Sequence, residues 1–220
     1  MICPNMATML AYFVTDCDVP VVALRKALKE ATGLSFNSII VDNDTSTNDT
    51  TMVFANGLAG NRPARYGSIE YRRFVKLLTE VSTRLAHMIV KDGEGATRFI
   101  EIRIKRAASD KDARLAGSAM AESFLVKTAF FGGDPNWGRI MAAIGKASIK
   151  MDESKTDIIF NGVPVVKNGL DTGMEKEAAA AIKVREVVVT VDLRMGKGAS
   201  TIWTTDLTYE YVKINSAYRT

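Results

Sequence analysis

Apolar and polar positions alternate along this chain with periods that divide it into short strands and helices. The run Met9-Leu10-Ala11-Tyr12-Phe13-Val14 reads as a buried strand, and Asp16 to Pro20 turns into a helix. In that helix Val21, Leu24 and Leu28 recur at helical spacing until Gly33 stops it. A second strand is expected over Thr51–Ala55, closed by Asn56-Gly57. After a linker over residues 58 to 67, Phe74, Leu77, Leu78, Val81, Leu85, Met88 and Ile89 mark the apolar face of a long helix. Arg73, Lys76, Glu80 and Arg84 mark its charged face, with the sole histidine, His87, beside them.

The alternation Ile100, Ile102, Ile104 against Glu101 and Arg103 predicts a strand from Thr97 to Ile104. Ser109 and Asp112 form a capping signature for a helix whose small face is Ala116, Ala119 and Ser123. The stretch from Gly132 to Arg139 reads as a tight turn, with Pro135 opening a short helix through Ile144. Strands are then expected at Asp157–Phe160 and Val163–Val166. Thr172 and Glu175 predict a second capping box before an alanine-rich helix, Ala178–Ile182. Glu186–Leu193 reads as a strand buried on both faces, turned by Met195-Gly196-Lys197-Gly198 into an antiparallel partner, Ser200–Asp206. A last helix, with Leu207, Tyr211, Ile214 and Tyr218 on one stripe, is expected to dock the C-terminus. These elements predict an α/β (α+β layered) protein, with helices packed on mixed or antiparallel sheets.

Composition narrows the function classes. With 220 residues, 47% of them hydrophobic, the chain can bury a real core. The 29 Lys+Arg against 25 Asp+Glu give a formal charge of +4. These basic residues are scattered and form no stripe interleaved with aromatics, so nucleic acid is not an expected partner. No run reaches the roughly 20 apolar residues of a membrane span, and the start has no signal-peptide pattern, so a cytoplasmic protein is expected. Cys3 and Cys17 show no metal-binding spacing. Asp42-x-Asp44-x-Ser46 imitates a calcium loop, but Thr47 and Val53 occupy the places that need Gly and Glu, so no metal is expected there. Gly132-Gly133 lacks the rest of a phosphate-loop pattern.

The residues with most chemistry to offer are the first ten. Thr8 follows a small residue after a Pro-Asn turn. If the Ala7–Thr8 bond were cut, Thr8 would carry both a hydroxyl nucleophile and an α-amine base of pKa roughly 7.7–8.0. A threonine at the head of a strand is also what β-propensity selects. Glu94, flanked by Gly93 and Gly95, has the backbone freedom to approach a ligand closely, and equally fits an exposed hairpin.

Cys3-Pro4-Asn5-Met6-Ala7-Thr8-Met9-Leu10 closely resembles the self-processing site of the ornithine acetyltransferases, the glutamate N-acetyltransferases of the cyclic arginine pathway. Asp42 to Asp49 and Tyr211 to Thr220 also match that family, so the resemblance runs from end to end and covers the β half of the family precursor. It implies that Thr8 attacks the Ala7 carbonyl and is released as an N-terminal nucleophile. It then implies that Thr8 takes acetyl from N-acetylornithine and passes it to glutamate, by ping-pong kinetics and with no metal or organic cofactor. Some members also use acetyl-coenzyme A.

By the same resemblance Glu94, Asn215 and Thr220 join Thr8 in binding substrate, and the loop from Asp42 to Thr50 lies near the active site, where a satisfied turn is the alternative. The family's oxyanion donors, a Thr-Gly pair, lie in the N-terminal half. The expected partner is that α chain, in a heterotetramer of two α and two β chains. Cytoplasm is the expected compartment, or the mitochondrial matrix in a eukaryote. The expected organisation is a pre-cleavage segment, 1–7, a nucleophile-bearing lobe, 8–150, and a C-terminal lobe, 151–220. An N-terminal-nucleophile aminopeptidase or amidase, or an inactive scaffold half, are the alternatives.

Overall fold

The computed structural model describes residues 1–3, 6, 7 and 9–217, with the backbone alone at Met6 and Ala7. It has mixed α/β architecture and divides into two compact units, Met1–Ile89 and Val90–Thr220. The boundary expected near residues 145 to 155 falls inside the second unit, because strands from both sides of it belong to one sheet.

The first unit starts with a short antiparallel pair, β1 (Ile2–Cys3) and β2 (Met6–Ala7), with Ile2 opposite Ala7. Strand β3 (Leu10–Thr15), helix α1 (Val21–Gly33), the short β4 (Ile39–Ile40) and β5 (Thr50–Ala55) follow. β3 and β5 pair in parallel, as a strand–helix–strand crossover requires. The buried stripe of α1 is Ala23, Ala27 and Ala31, and the larger Val21 and Val22 point to solvent. Alanine at every fourth position lets helix α2 (Ile69–Lys91) come close, and Tyr71, Val75 and Leu78 of α2 share a core with that stripe. The apolar face of α2 is wider than its buried stripe, leaving Leu77, Val81 and Met88 exposed. The strand expected to be buried at Met9–Val14 has only Ala11 buried, and Leu10, Tyr12 and Val14 are 65%, 57% and 82% exposed.

In the second unit the strands run in the spatial order β11-β6-β10-β7-β8-β9. They are β6 (Phe99–Ala107), β7 (Asp157–Phe160), β8 (Val163–Lys167), β9 (Leu170–Asp171), β10 (Glu186–Asp192) and β11 (Gly198–Thr205). β6 presents Ile100, Ile102 and Ile104 to the core, each contributing about 1.5–3 kcal/mol on burial. Helix α3 (Asp110–Ala121) packs on that face, capped by Ser109, whose hydroxyl accepts the Asp112 N–H at 3.1 Å. Its small face is Ala113, Ala116, Gly117 and Ala121. A Cβ at Gly117 would lie 2.8 Å from the Ile202 side chain. Ser123 does not extend that face, because the helix ends and Ser123 caps a separate one, α4 (Phe124–Gly132). Gly133, in the left-handed region, closes α4, and Asn136 caps α5 (Trp137–Lys146).

Three further expectations give way to tertiary contacts. The Thr172 hydroxyl donates to the Pro164 carbonyl at 2.8 Å, so α6 (Glu175–Ala181) follows Met174 without a side-chain cap. α7 (Tyr209–Ala217) has no buried residue among the described residues and is held from its first turn, and Tyr218 of the expected stripe lies outside the described residues. The strands β10 and β11 are not a hairpin. β10 lies parallel to β6, while β11 lies antiparallel on the other side of β6. The chain crosses over the end of β6, with Met195 and Gly196 both donating to the Arg106 carbonyl. A Cβ at Gly196 would stand 2.7 Å from the Ala107 oxygen, and one at Gly198 would stand 2.1 Å from the Ser109 carbonyl carbon.

Gly198→Ala is therefore expected to destabilise the protein by about 3 kcal/mol, and the exposed Lys197→Ala to stay within about 0.5 kcal/mol of wild type, both read by urea unfolding. A second expectation concerns Asp157, which is buried and meets Arg194, Lys167 at 3.4 Å and the Asn168 N–H at 2.7 Å. Burial alone would raise its pKa, but the Asn168 N–H and the two cations together hold the carboxyl below its usual range. Its stabilisation is present above the unfolded-state pKa and is lost as pH falls through the folded one. Asp157→Asn should flatten the acid limb of unfolding free energy against pH, and an unchanged limb would contradict this assignment.

Candidate functional site

The Glu94 carboxylate stands on the turn between α2 and β6, where the Ala96 N–H donates to the Gly93 carbonyl at 3.0 Å. Gly95 in this turn has φ +65, and a Cβ there would lie 2.6 Å from the Tyr211 nitrogen and 2.9 Å from the Glu210 carbonyl carbon. Only glycine allows the turn to touch the first turn of α7. Thr208 joins the two: its hydroxyl donates to the Gly95 carbonyl at 2.8 Å and accepts the Tyr211 N–H at 3.2 Å, capping α7. The Tyr209 ring meets Phe131 edge-on, with centroids 5.5 Å apart.

This arrangement brings Asn215 to Glu94, although 121 positions separate them. The Asn215 amide donates to Glu94 Oε2 at 2.8 Å and to the Tyr211 carbonyl at 3.0 Å. Both side chains are exposed, and among the described residues no lysine or arginine pairs with Glu94 within 4.0 Å. A carboxylate with one amide donor and no cation can accept an ammonium group.

Two groups that the sequence reading missed hold this corner from beneath. Asp206, directly after β11, accepts the N–H groups of Thr97 and Arg98 at 2.9 and 3.0 Å and the Thr97 hydroxyl. Lys127 of α4, only 2% exposed, donates to Thr204 Oγ1 at 2.9 Å and to the Thr205 carbonyl at 2.7 Å. No local pattern marks either residue, because each acts on a strand end 77 or more positions away.

Thr8 and Thr220 lie outside the described residues. Met9, the next residue in the chain, is described in the first unit. The Met9 N–H donates to Asp49 Oδ1 at 2.8 Å, and the Met9 carbonyl accepts the Thr50 N–H at 2.9 Å. A cavity of about 400 Å³ opens there, lined by Met9, Asp49, Thr50 and Thr32 and by two cations, Arg25 and Lys29. Its size suits a small-molecule ligand. Cys3 and Cys17 form no disulfide, and burial pushes the Cys17 thiol up.

The model of the ArgJ family matches this chain of mixed α/β architecture over residues 1–220. It is 49% identical to the arginine biosynthesis bifunctional protein ArgJ of Geobacter sulfurreducens over 222 residues, covering 100% of this chain and 56% of that protein. It is 51% identical to the protein of the same name from Syntrophotalea carbinolica, with the same coverage. The crystal structure of arginine biosynthesis bifunctional protein ArgJ from Bacillus halodurans superposes with a TM-score of 0.92 at 39% identity, covering 96% of this chain and 100% of that one. The chain belongs to the ArgJ family. It spans a little over half the length of the curated relatives it matches.

Asp206→Ala should leave the Thr97 and Arg98 N–H groups without an acceptor and cost about 2–3 kcal/mol. Hydrogen exchange at these two amides should quicken well beyond the change in global unfolding, whereas unchanged exchange would show that Asp206 does not hold the turn.

Proposed function

We propose that this chain is the β half of a glutamate N-acetyltransferase that moves acetyl from N-acetylornithine to glutamate. The observation that carries the reading is the 2.8 Å contact between Glu94 and Asn215. Two residues singled out as substrate ligands from distant parts of the sequence meet at one exposed site. Thr220, three residues beyond α7, completes the proposed substrate contacts.

In the proposed chemistry the Thr8 hydroxyl bonds to the Ala7 carbonyl carbon as the Ala7–Thr8 C–N bond breaks, and the departing nitrogen takes the hydroxyl proton. Water then hydrolyses the ester, leaving an Ala7 carboxylate, the Thr8 hydroxyl and a free α-amine that serves as base. In turnover the freed hydroxyl takes acetyl from N-acetylornithine, ornithine departs, and the glutamate amine accepts the acetyl group from the threonine ester. The relatives are named bifunctional, and in this reading acetyl-coenzyme A is a second acetyl source. No metal or organic cofactor is needed for these steps.

The partner in this reading is the N-terminal α chain, supplying the oxyanion donors within a heterotetramer of two α and two β chains in the cytoplasm, or the mitochondrial matrix in a eukaryote. Part of the support is the outer face of β3 and β5. Leu10, Tyr12 and Val14 with Met52 and Phe54 form an exposed apolar layer on a parallel pair, and parallel strands are ordinarily covered on both faces. The solved Bacillus halodurans chain is covered along its full length, whereas the curated relatives are covered over little more than half of theirs, which supports a protein made of two chains.

Expressed with its N-terminal half, the wild-type protein should transfer acetyl to glutamate, and Thr8→Ala should lower the rate by at least about 10³-fold. Release of free acetate in place of N-acetylglutamate would instead identify an amidase or aminopeptidase.

A further inference from the structure

The loop from Asp42 to Thr50 holds the chain on both sides of the Ala7–Thr8 bond. Upstream, Asp42 Oδ1 accepts the Ile2 N–H at 2.9 Å, and the Ile2 carbonyl accepts the Val41 N–H at 2.8 Å. Ile2 is the register partner of Ala7, so this end of the loop anchors the short strand pair that contains the residue before the bond. Downstream, Asp49 Oδ1 accepts the Met9 N–H and the Thr50 N–H donates to the Met9 carbonyl, so both peptide groups of the residue after Thr8 are engaged. The loop is itself internally bonded. Asp42 Oδ1 also accepts the Asp44 N–H at 3.2 Å, Ser46 is buried, and its hydroxyl oxygen accepts the Asn48 N–H at 3.2 Å.

We infer that this loop is a clamp for self-processing, and that Asp49 is a positioning residue that fixes Met9 so that the reacting groups of Ala7 and Thr8 remain within reach. The inference rests on the acyl-transfer reading above and deepens it. An intramolecular attack gains its rate from restricting the reacting groups to a few geometries, and a displacement of about 1 Å can cost on the order of 10²-fold. Fastening the residues at either side applies that restriction through the backbone. It also accounts for two carboxylates in a loop whose spacing does not suit calcium: Asp42 and Asp49 are used as hydrogen-bond acceptors for backbone N–H groups. After cleavage the contact of Asp49 with Met9 stays with the chain that begins at Thr8, so Asp49 continues to orient the new N-terminus.

The clamp depends on where the acceptor sits, and charge is secondary. Asp49→Asn keeps an acceptor oxygen at the same distance along the side chain, whereas Asp49→Glu keeps the charge and moves the acceptor outward by one methylene. The test uses the full-length precursor, following the intact mass of the products with time for wild type, these two variants, the loop control Asp44→Ala and Thr8→Ala, with a melting temperature for each. Asp49→Asn and Asp44→Ala should cleave within about twofold of wild type, and Asp49→Glu slower by about 10- to 100-fold at a similar melting temperature. Wild-type cleavage by Asp49→Glu, or slow cleavage by Asp49→Asn with normal cleavage by Asp49→Glu, would overturn the clamp and leave the acetyltransferase reading standing. A wild-type precursor that never cleaves, or a Thr8→Ala precursor that does, would overturn the reading and the clamp with it.

Discussion

The second unit depends on a backbone crossing. Between β10 and β11 the chain passes over the end of β6 at a distance that leaves no room for a Cβ at Gly196 or Gly198. That crossing puts β10 on one side of β6 and β11 on the other. The register of β11 on β6 then matches Thr205 to Phe99, so the end of β11 must lie beside the start of β6. Asp206 and Thr208 leave the sheet there, next to the Glu94 turn, and α7 grows from that point. The contact between Glu94 and Asn215 is thus a consequence of strand order, secured by Asp206 beneath and by the absence of a side chain at Gly95.

The first unit solves a different problem. Its two parallel strands cannot bury both faces with one helix layer, and the sequence places alanines on the inner side of α1 and large apolar residues on the outer side of the strands. Alanines at 23, 27 and 31 draw α1 and α2 together, while Leu10, Tyr12, Val14, Met52 and Phe54 remain on the outside.

Strand and helix positions were legible wherever a period was strong and caps were local: the isoleucines of β6 and the Ser109 cap. Failures came where a distant partner decided the outcome. A near-continuous β-branched run followed by glycines looks like half of a hairpin, and only the close approach to Ala107–Asp110 shows that those glycines serve a crossing. Thr172 had the spacing of a cap and gave its hydroxyl to Pro164. The apolar residues of the last helix suggested docking, but polar contacts at Thr208 and Asn215 secure it. Of the candidate site, Glu94 was marked by its flanking glycines and by family resemblance, and Asn215 by resemblance alone. Asp206, Lys127 and Asp49 were not, because a single carboxylate or lysine carries no local sign of the backbone group it will meet.

In the proposed reaction Thr8 becomes the acyl carrier, and Glu94 and Asn215 bind the substrate. The most direct measurement is peptide mapping by mass spectrometry after the assembled two-chain protein has been quenched with N-acetylornithine present and no acceptor. The account predicts one acetyl group on the hydroxyl of a peptide that begins at Thr8. An acetyl group on any other residue, or a peptide in which Ala7 still precedes an unmodified Thr8, would contradict it.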